Sequence, residues 1–324
     1  MVKIKDIYTK AVRRGIELDP RGKAGIENEL DKVKKDFDEL KDADKKYFDK
    51  ESLTNPYADT RILYGDPDKD VRNVLVGIDM EVGEVLLADR LKSQGRTVDL
   101  IISHHPEGRA MAALYEVMDM QSGILLKYGV PINVAEDIMA ERIKEVERRL
   151  LPANHTRAVD AARLLDIPFI CIHTPSDNAV TDYLQKIFDE KKPGRVSDII
   201  DILKDIPEYK DAMNEKAGPK IFVSSEKRRA GKVFVDMTGG TGGSKNVFEK
   251  LSNAGVGTVV GMHISEDHRK EAEKHHINVV IAGHISSDNL GMNLLLDNIL
   301  DNVEVITTSG FRRFSRKNTV GSMQ

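Results

Sequence analysis

The sequence predicts an α/β protein: two α/β lobes of similar grammar, plus an N-terminal helical extension. Three observations carry this. Short runs rich in Val and Ile alternate with stretches of helical periodicity. Those runs are apolar nearly throughout, as strands are in a parallel sheet covered on both faces. The alternation also restarts near residue 230 after a charged interval. The expected division is residues 1–60 for the extension, 61–185 for the first lobe and 186–324 for the second, which includes a connecting helical segment and a flexible tail.

Residues 1–50 are polar with a helical pattern. Ile26, Leu30, Val33, Phe37 and Leu40 are spaced 4, 3, 4, 3, an a/d seam. It is too short for a free coiled coil and is expected to dock on the body or on another subunit. VRNVLVGIDM, from residue 71, reads as a strand. EVGEVLLADRLKSQGR reads as a helix with Val82, Val85, Leu86 and Leu91 on one side, and VDLIIS as the next strand. Residues 110–130, 134–150 and AVDAARLLDI read as helices, and PFICIH as a strand. The interval 186–218 holds Pro193, Gly194 and Pro207 and reads as connecting helices. The grammar then repeats: strand GKVFVDM, loop GGTGGS, helix KNVFEKLSNAG closed by Gly255, strand VGTVVGMH, helix EDHRKEAEKHH and strand INVVIAGH. A last helix, LGMNLLLDNILDN, precedes the strand VEVITTSG, and SRKNTVGSMQ is expected to be a disordered tail.

The chain has 324 residues, 40% of them hydrophobic, which suffices for a sizeable core. With 49 basic and 53 acidic residues the formal charge is −4, which argues against a polybasic nucleic-acid binder. The one cysteine, Cys171, sits in an apolar run; it excludes a disulfide framework and reads as a small core residue. No apolar run approaches the ~18 residues of a membrane span, and MVKIKDIYTKAVRRG lacks the apolar core of a signal peptide. A soluble, cytoplasmic protein is expected.

Four of the apolar strands end in histidine: LIIS leads into His104 and His105, FICI into His173, VVGM into His263 and VVIAG into His284. Ligands of parallel α/β sheets bind at such strand ends. Carboxylates follow two of them. In HTPSD, Asp177 lies four residues after His173, and Pro175 favours a loop there. In HISSD, Asp288 lies four residues after His284, on one face if the helix begins there. His104, His105, Asp177, His284 and Asp288 form a mixed nitrogen and oxygen set sufficient for two metals bridged by a carboxylate and a water. With no soft ligand to spare, Zn, Fe, Mn and Co all suit it. His173 reads as a supporting residue. Gly239, Gly240, Gly242 and Gly243 lie between a strand and a helix, where backbone amides can meet a phosphate or simply form a tight turn. Neither the GK[ST] ending nor GxGxxG is present. His155, His268, His275 and His276 fall in a turn or on a charged helix and read as exposed.

SHHP, HTPSD, GGTGGS and GHISSD, in this order, resemble the NIF-three-like family, whose members are described as GTP cyclohydrolase I type 2 or dinuclear metal-binding proteins. The resemblance includes GDPDKDVRNVLVGID and covers residues 60–180 and 230–310. It implies a metal site in the cleft between two lobes, a toroidal homohexamer, and metal ligands at His104, His105, Asp177, His284 and Asp288. The chain departs from the pattern where the family has glutamate and this sequence has Asp288. It has no tryptophan, it carries GMH with His263 at a TGD-like strand end, and it has the 1–50 segment. Two functions follow as expectations. One is a metal-dependent hydrolase acting on a nucleotide or another phosphate-bearing small molecule, with His173 or His263 moving the proton. The other is a non-catalytic metal-binding scaffold or regulatory interaction protein.

Overall fold

The computed structural model describes residues 2–317; the rest of the expected tail, 318–324, lies outside the described residues. In chain order the first elements are β1 (Val2–Lys3), α1 (Ile4–Leu18), α2 (Gly22–Glu39), α3 (Asp42–Lys45), β2 (Arg61–Tyr64), β3 (Asp70–Val71), β4 (Asn73–Gly77), α4 (Val82–Ser93) and β5 (Leu100–Ser103). Next come α5 (Gly108–Ala112), α6 (Leu114–Val117), α7 (Met120–Tyr128), α8 (Ile132–Leu150), α9 (Arg157–Leu164), β6 (Phe169–Cys171) and α10 (Thr174–Lys191). They are followed by α11 (Val196–Lys204), α12 (Pro207–Asn214), β7 (Lys220–Val223), β8 (Lys232–Asp236), α13 (Val247–Asn253) and β9 (Val256–Gly261). The last are α14 (Glu266–Lys274), β10 (Asn278–Ile281), α15 (His284–Ile299) and β11 (Glu304–Thr307).

Two main sheets result. The first has the order β11-β4-β5-β6-β2, parallel except for β2; the second has the order β7-β10-β9-β8, parallel except for β7. Alternate residues of each strand bury opposite faces. In the first sheet Val74, Val76, Leu100 and Ile102 pack with α1 and α15, while Leu75, Ile101 and Phe169 pack with α4 and α9. In the second, Val233, Val235, Val260 and Val280 pack with α10, α11 and α12. Phe234, Val259 and Val279 face α7, α8 and α13. The apolar strands thus have both faces covered, as their composition predicts.

The chain crosses between the sheets more than the strand grammar suggests. Helix α10 leaves the first sheet but packs on the second, and α15 leaves the second but packs on the first, which β11 then joins. The boundary expected at 185/186 therefore falls inside α10. Helix α1, expected in an extension, is part of the first core through Ile4, Ile7 and Ala11. Of the seam on α2 only Ile26 is fully buried. On α4 the buried side is Val85 and Ala88, with Leu86 exposed. The stretch 110–130 is broken into three short helices. Strands β2 and β7 escape the sequence pattern because antiparallel edges tolerate the mixed composition of RILY and KIFV. At the start of the expected tail, Ser315 donates to Asp297 and Lys317 to the Leu300 carbonyl, so Ser315–Lys317 are held against α15 and the turn after it. No helix among the described residues is long and apolar enough to cross a membrane.

Candidate metal centre

The carboxyl ends of β5, β6 and β10 supply the histidines. After β5, the His104 and His105 amides donate to the Gly77 and Ile78 carbonyls (3.0 and 2.9 Å), so backbone pairing outlasts the strand. The two rings still share one pocket, their centroids 5.2 Å apart. His104 is fully buried. Its Nδ1 lies 3.3 Å from the Ile172 carbonyl, which can only accept, so the proton sits on Nδ1 and Nε2 keeps a free lone pair. His105 Nδ1 donates likewise to Asp79 Oδ1 (2.6 Å), and His173 Nδ1 to Asp59 Oδ2 (2.8 Å). Acceptors behind three imidazoles turn three Nε2 atoms inward, as metal-ligating histidines require.

Two helices bring the carboxylates. HTPSD is a helix start rather than the expected loop: α10 begins at Thr174 with Pro175 in its first turn, a position that needs no N–H. His173 is the N-cap, and Asp177 lies one turn in. Helix α15 begins at His284, as the spacing requires, and Gly283 before it has a positive φ of 115°. A side chain there would overlap Ser286 Oγ and approach the Ala217 carbonyl. The two helices pack at Gly291, where an added Cβ would overlap the Ser176 carbonyl oxygen. This close approach sets Asp177 and Asp288, each within a turn of the contact, beside each other.

The donor atoms converge without bonding one another. His104 Nε2 lies 3.5 Å from Asp177 Oδ1 and 3.4 Å from Asp288 Oδ1. His105 Nε2 and His284 Nε2 lie 3.4 and 3.6 Å from Asp288 Oδ2. His104 Nε2, Asp177 Oδ1 and both Asp288 oxygens are buried with no hydrogen-bond partner. Leaving such atoms unpaired is costly. Two donors each ~2.1 Å from a common cation stand ~3.4 Å apart at near-tetrahedral angles, which is the observed spacing. No Lys or Arg among the described residues pairs with Asp59, Asp177 or Asp288; histidines are their only ion partners. The residues present therefore fit a metal ion. They form two triads, His104–Asp177–Asp288 and His105–His284–Asp288, that share Asp288. His173 groups with His104 and His105, its Nε2 3.7 Å from Asp177 Oδ2.

Burial and charge act against each other in the cluster. Desolvation holds His104 neutral, its pKa lowered to about 4. At His173 burial is outweighed by the Asp177 and Asp59 carboxylates, and the pKa rises to about 9. Asp177 is pushed up to about 8, first by burial and then by its carboxylate neighbours. Cys171 is buried in the core, and burial pushes its thiol up to about 12, so it is inert.

The centre lies against a cavity of about 460 Å³ lined by residues from both sheets, including His105, Asp177, His284 and Asp288. His263 also lines it, its ring centroid 5.1 Å from that of His284. Gly240, Gly242 and Gly243 line it as well, while Gly239 packs against Gln121. Most carbonyls of this loop are engaged: Gln121 donates to Gly239 O and Thr241 O, and Arg142 to Gly242 O. His268, read as exposed, instead lines the cavity with its Nε2 3.0 Å from Gly243 O. Asp79 and Asp59 were not singled out in the sequence. Asp79 had a signal, standing just past an apolar strand as the histidines do; Asp59 precedes the unrecognised β2 and had none.

No family model and no curated protein matches the chain. Among solved structures it is similar to a NIF3 superfamily protein from Sphaerobacter thermophilus, at 29% identity over 78% of this chain and 92% of that one, with a TM-score of 0.69. It is also matched to reduced HcgD from Methanocaldococcus jannaschii, at 17% identity over 76% and 87% of the two chains and a TM-score of 0.48. A Bacillus cereus protein related to NIF3 matches at 14% identity over 77% of this chain and 89% of that one, with a TM-score of 0.39. The first of these carries the likeness, and the α/β architecture is that of the NIF3 fold.

Proposed function

We propose, from its likeness to a NIF3 superfamily protein, that the chain is a NIF3-like, dinuclear metal-dependent hydrolase acting on a nucleotide or another phosphate-bearing small molecule. The observation that carries the reading is the pair of triads sharing Asp288 at the wall of a cavity. His104 and Asp177 would hold one divalent cation, His105 and His284 the other, and Asp288 both. Zn, Fe, Mn and Co all suit this donor set. Bound there, such cations supply Lewis acidity and water that ionises near neutral pH.

The chain's own residues do the rest. Asp79 and Asp59 hold the His105 and His173 rings in one tautomer. His173 Nε2 and the His263 ring, both at the cavity wall, would carry a proton beside the ligands. Of the loop at Gly239–Gly243, the Gly240, Gly242 and Gly243 amides would meet a phosphate, since the Gly239, Thr241, Gly242 and Gly243 carbonyls are bonded elsewhere and the Thr241 amide donates to Gly239 O. The adjoining cavity favours an enzyme over a scaffold, which would need no substrate space beside its metal. A homohexamer and a cytoplasmic setting belong to the same proposal, by family resemblance.

The test is release of product from a nucleotide panel that includes GTP, by protein reconstituted with each metal. Hydrolysis of at least one nucleotide is expected, with a loss of 100-fold or more in His104→Ala/Asp288→Ala. A reconstituted protein that holds metal yet hydrolyses nothing would favour the scaffold.

A further inference from the structure

Strand β7 stands at one end of the second sheet, paired with β10 and with no further strand. Outside that ladder, no hydrogen bond reaches the backbone of Lys220–Val223 among the described residues. Its outer edge is therefore a row of unpaired N–H and C=O groups. A groove of about 690 Å³ lies beside this edge, lined by α11, by β7 and by the residues on either side of β7. Ile200 and Ile221 give it apolar surface and pack on the core beneath. Lys204 stands one turn beyond Ile200 on α11, so the two share a face.

The groove is held open by the fold. Ser224 takes a φ of 112°, which ends β7, and the turn that follows returns to the start of α11. There the Val196 and Ser197 amides donate to the Arg228 and Glu226 carbonyls (2.9 and 3.0 Å), tying the two walls together. The charge of the lining is lopsided. Lys204, Lys220 and Lys227 line it, all exposed, against one acidic residue, Glu226. None of the three ammonium groups is in an ion pair among the described residues; Lys220 donates to the Lys216 carbonyl.

We propose that this groove is a docking site for an extended, acidic segment of a partner protein, which adds a strand to the β7 edge. The unpaired backbone row supplies main-chain hydrogen bonds, and a pocket beside it selects side chains. Carboxylates on the segment answer the unpaired lysines, and its apolar side chains answer Ile200 and Ile221. A second copy of this chain fits less well. Pairing two β7 edges would bring a second set of lysines against the first, and like charges across a strand pair are destabilising. The register of β7 with β10 also passes over Phe222, a bulge that bends the edge. A folded strand resists that bend, whereas an unstructured segment follows it. The site is separate from the metal centre: it shares no lining residue with the cavity there.

The probe is a fluorescein-labelled, amidated hexapeptide alternating glutamate and valine, and its binding to the full chain is followed by fluorescence anisotropy. Saturable binding is expected, weakening as salt is raised because the lysines are exposed. Lys204→Glu/Lys227→Glu is expected to weaken it about ten-fold or more, while Lys204→Arg/Lys227→Arg retains it. Both pairs lie on the surface, and an unchanged melting temperature checks that they fold. The same peptide with every backbone nitrogen methylated keeps its charge but cannot donate to the edge, and it is expected to lose binding about as fully. No saturable binding of the acidic peptide would overturn the proposal, as would equal binding of a lysine–valine counterpart. Equal binding of the methylated peptide would reduce the site to a charged patch without strand addition. Displacement by a thymidine hexanucleotide at lower concentration than by unlabelled peptide would assign the groove to nucleic acid, and concentration-dependent dimers abolished by Lys204→Glu/Lys227→Glu would assign it to a second copy; each overturns the proposal.

Discussion

At the scale of single residues, the centre depends on groups that fix its ligands as much as on the ligands. Asp79 holds His105 through a 2.6 Å hydrogen bond, and Asp59 is buried behind His173 and Thr174. Removing such a support lets a ring rotate and lowers the basicity of its other nitrogen. Asp79→Ala is expected to weaken metal binding about 10- to 100-fold without unfolding the chain, as measured by competition with a chromogenic chelator. Asp236 carries a second prediction, with the opposite sign for stability. Its pKa is about 6 in the folded chain, against about 3.9 in an unfolded one. The folded state therefore disfavours its charged form above pH 6, and the penalty fades as pH falls through 6 toward 4. Asp236→Asn should raise the melting temperature by about 2 °C at pH 8 and leave it unchanged near pH 4. A lower melting temperature at pH 8 would mean that the carboxylate has a structural partner.

At the scale of elements, both carboxylates of the candidate centre come from one device, a histidine at a helix start with an aspartate four residues on. It occurs at His173–Asp177 on α10 and at His284–Asp288 on α15. The α10–α15 contact at Gly291 joins the two copies. Gly291→Ala would press a methyl group into the Ser176 carbonyl, so it should cost about 2 kcal/mol in urea unfolding and lower metal affinity together with stability. A variant of native stability and affinity would show that the helices tolerate separation. Much of this was legible beforehand. The strand-end histidines, the four-residue spacing and both lobes' strands are visible in the sequence, because apolar runs and spacing are local properties. The start of α10 was misread because a proline that breaks a helix interior is welcome in its first turn. The exchange of α10 and α15 between sheets was not legible, since an amphipathic face does not say which sheet it covers. Nor was Asp59, whose position depends on the antiparallel edge strand β2.

At the scale of the molecule, two sheets are tied by exchanged helices, and the centre sits where those helices begin. The His and Asp residues of the centre span positions 104 to 288, so the site exists only when both sheets are assembled. A metal held there binds the folded chain and not the unfolded one, and it should stabilise the whole. At free metal 100 times the dissociation constant the gain is about 2.7 kcal/mol, seen as a melting temperature that rises with metal and falls with chelator. The basic residues near the C-terminus are bound into the same assembly: Arg312 pairs with Asp211, Arg313 with Asp297 and Arg316 with Glu208. The central claim is that Asp288 serves two metal positions at once. The measurement that tests it most directly is metal per chain, by elemental analysis of protein reconstituted and then freed of loosely held ions. The account predicts about two metals per chain, falling to none in His104→Ala/Asp288→Ala. A single metal per chain, or none after reconstitution, would contradict it.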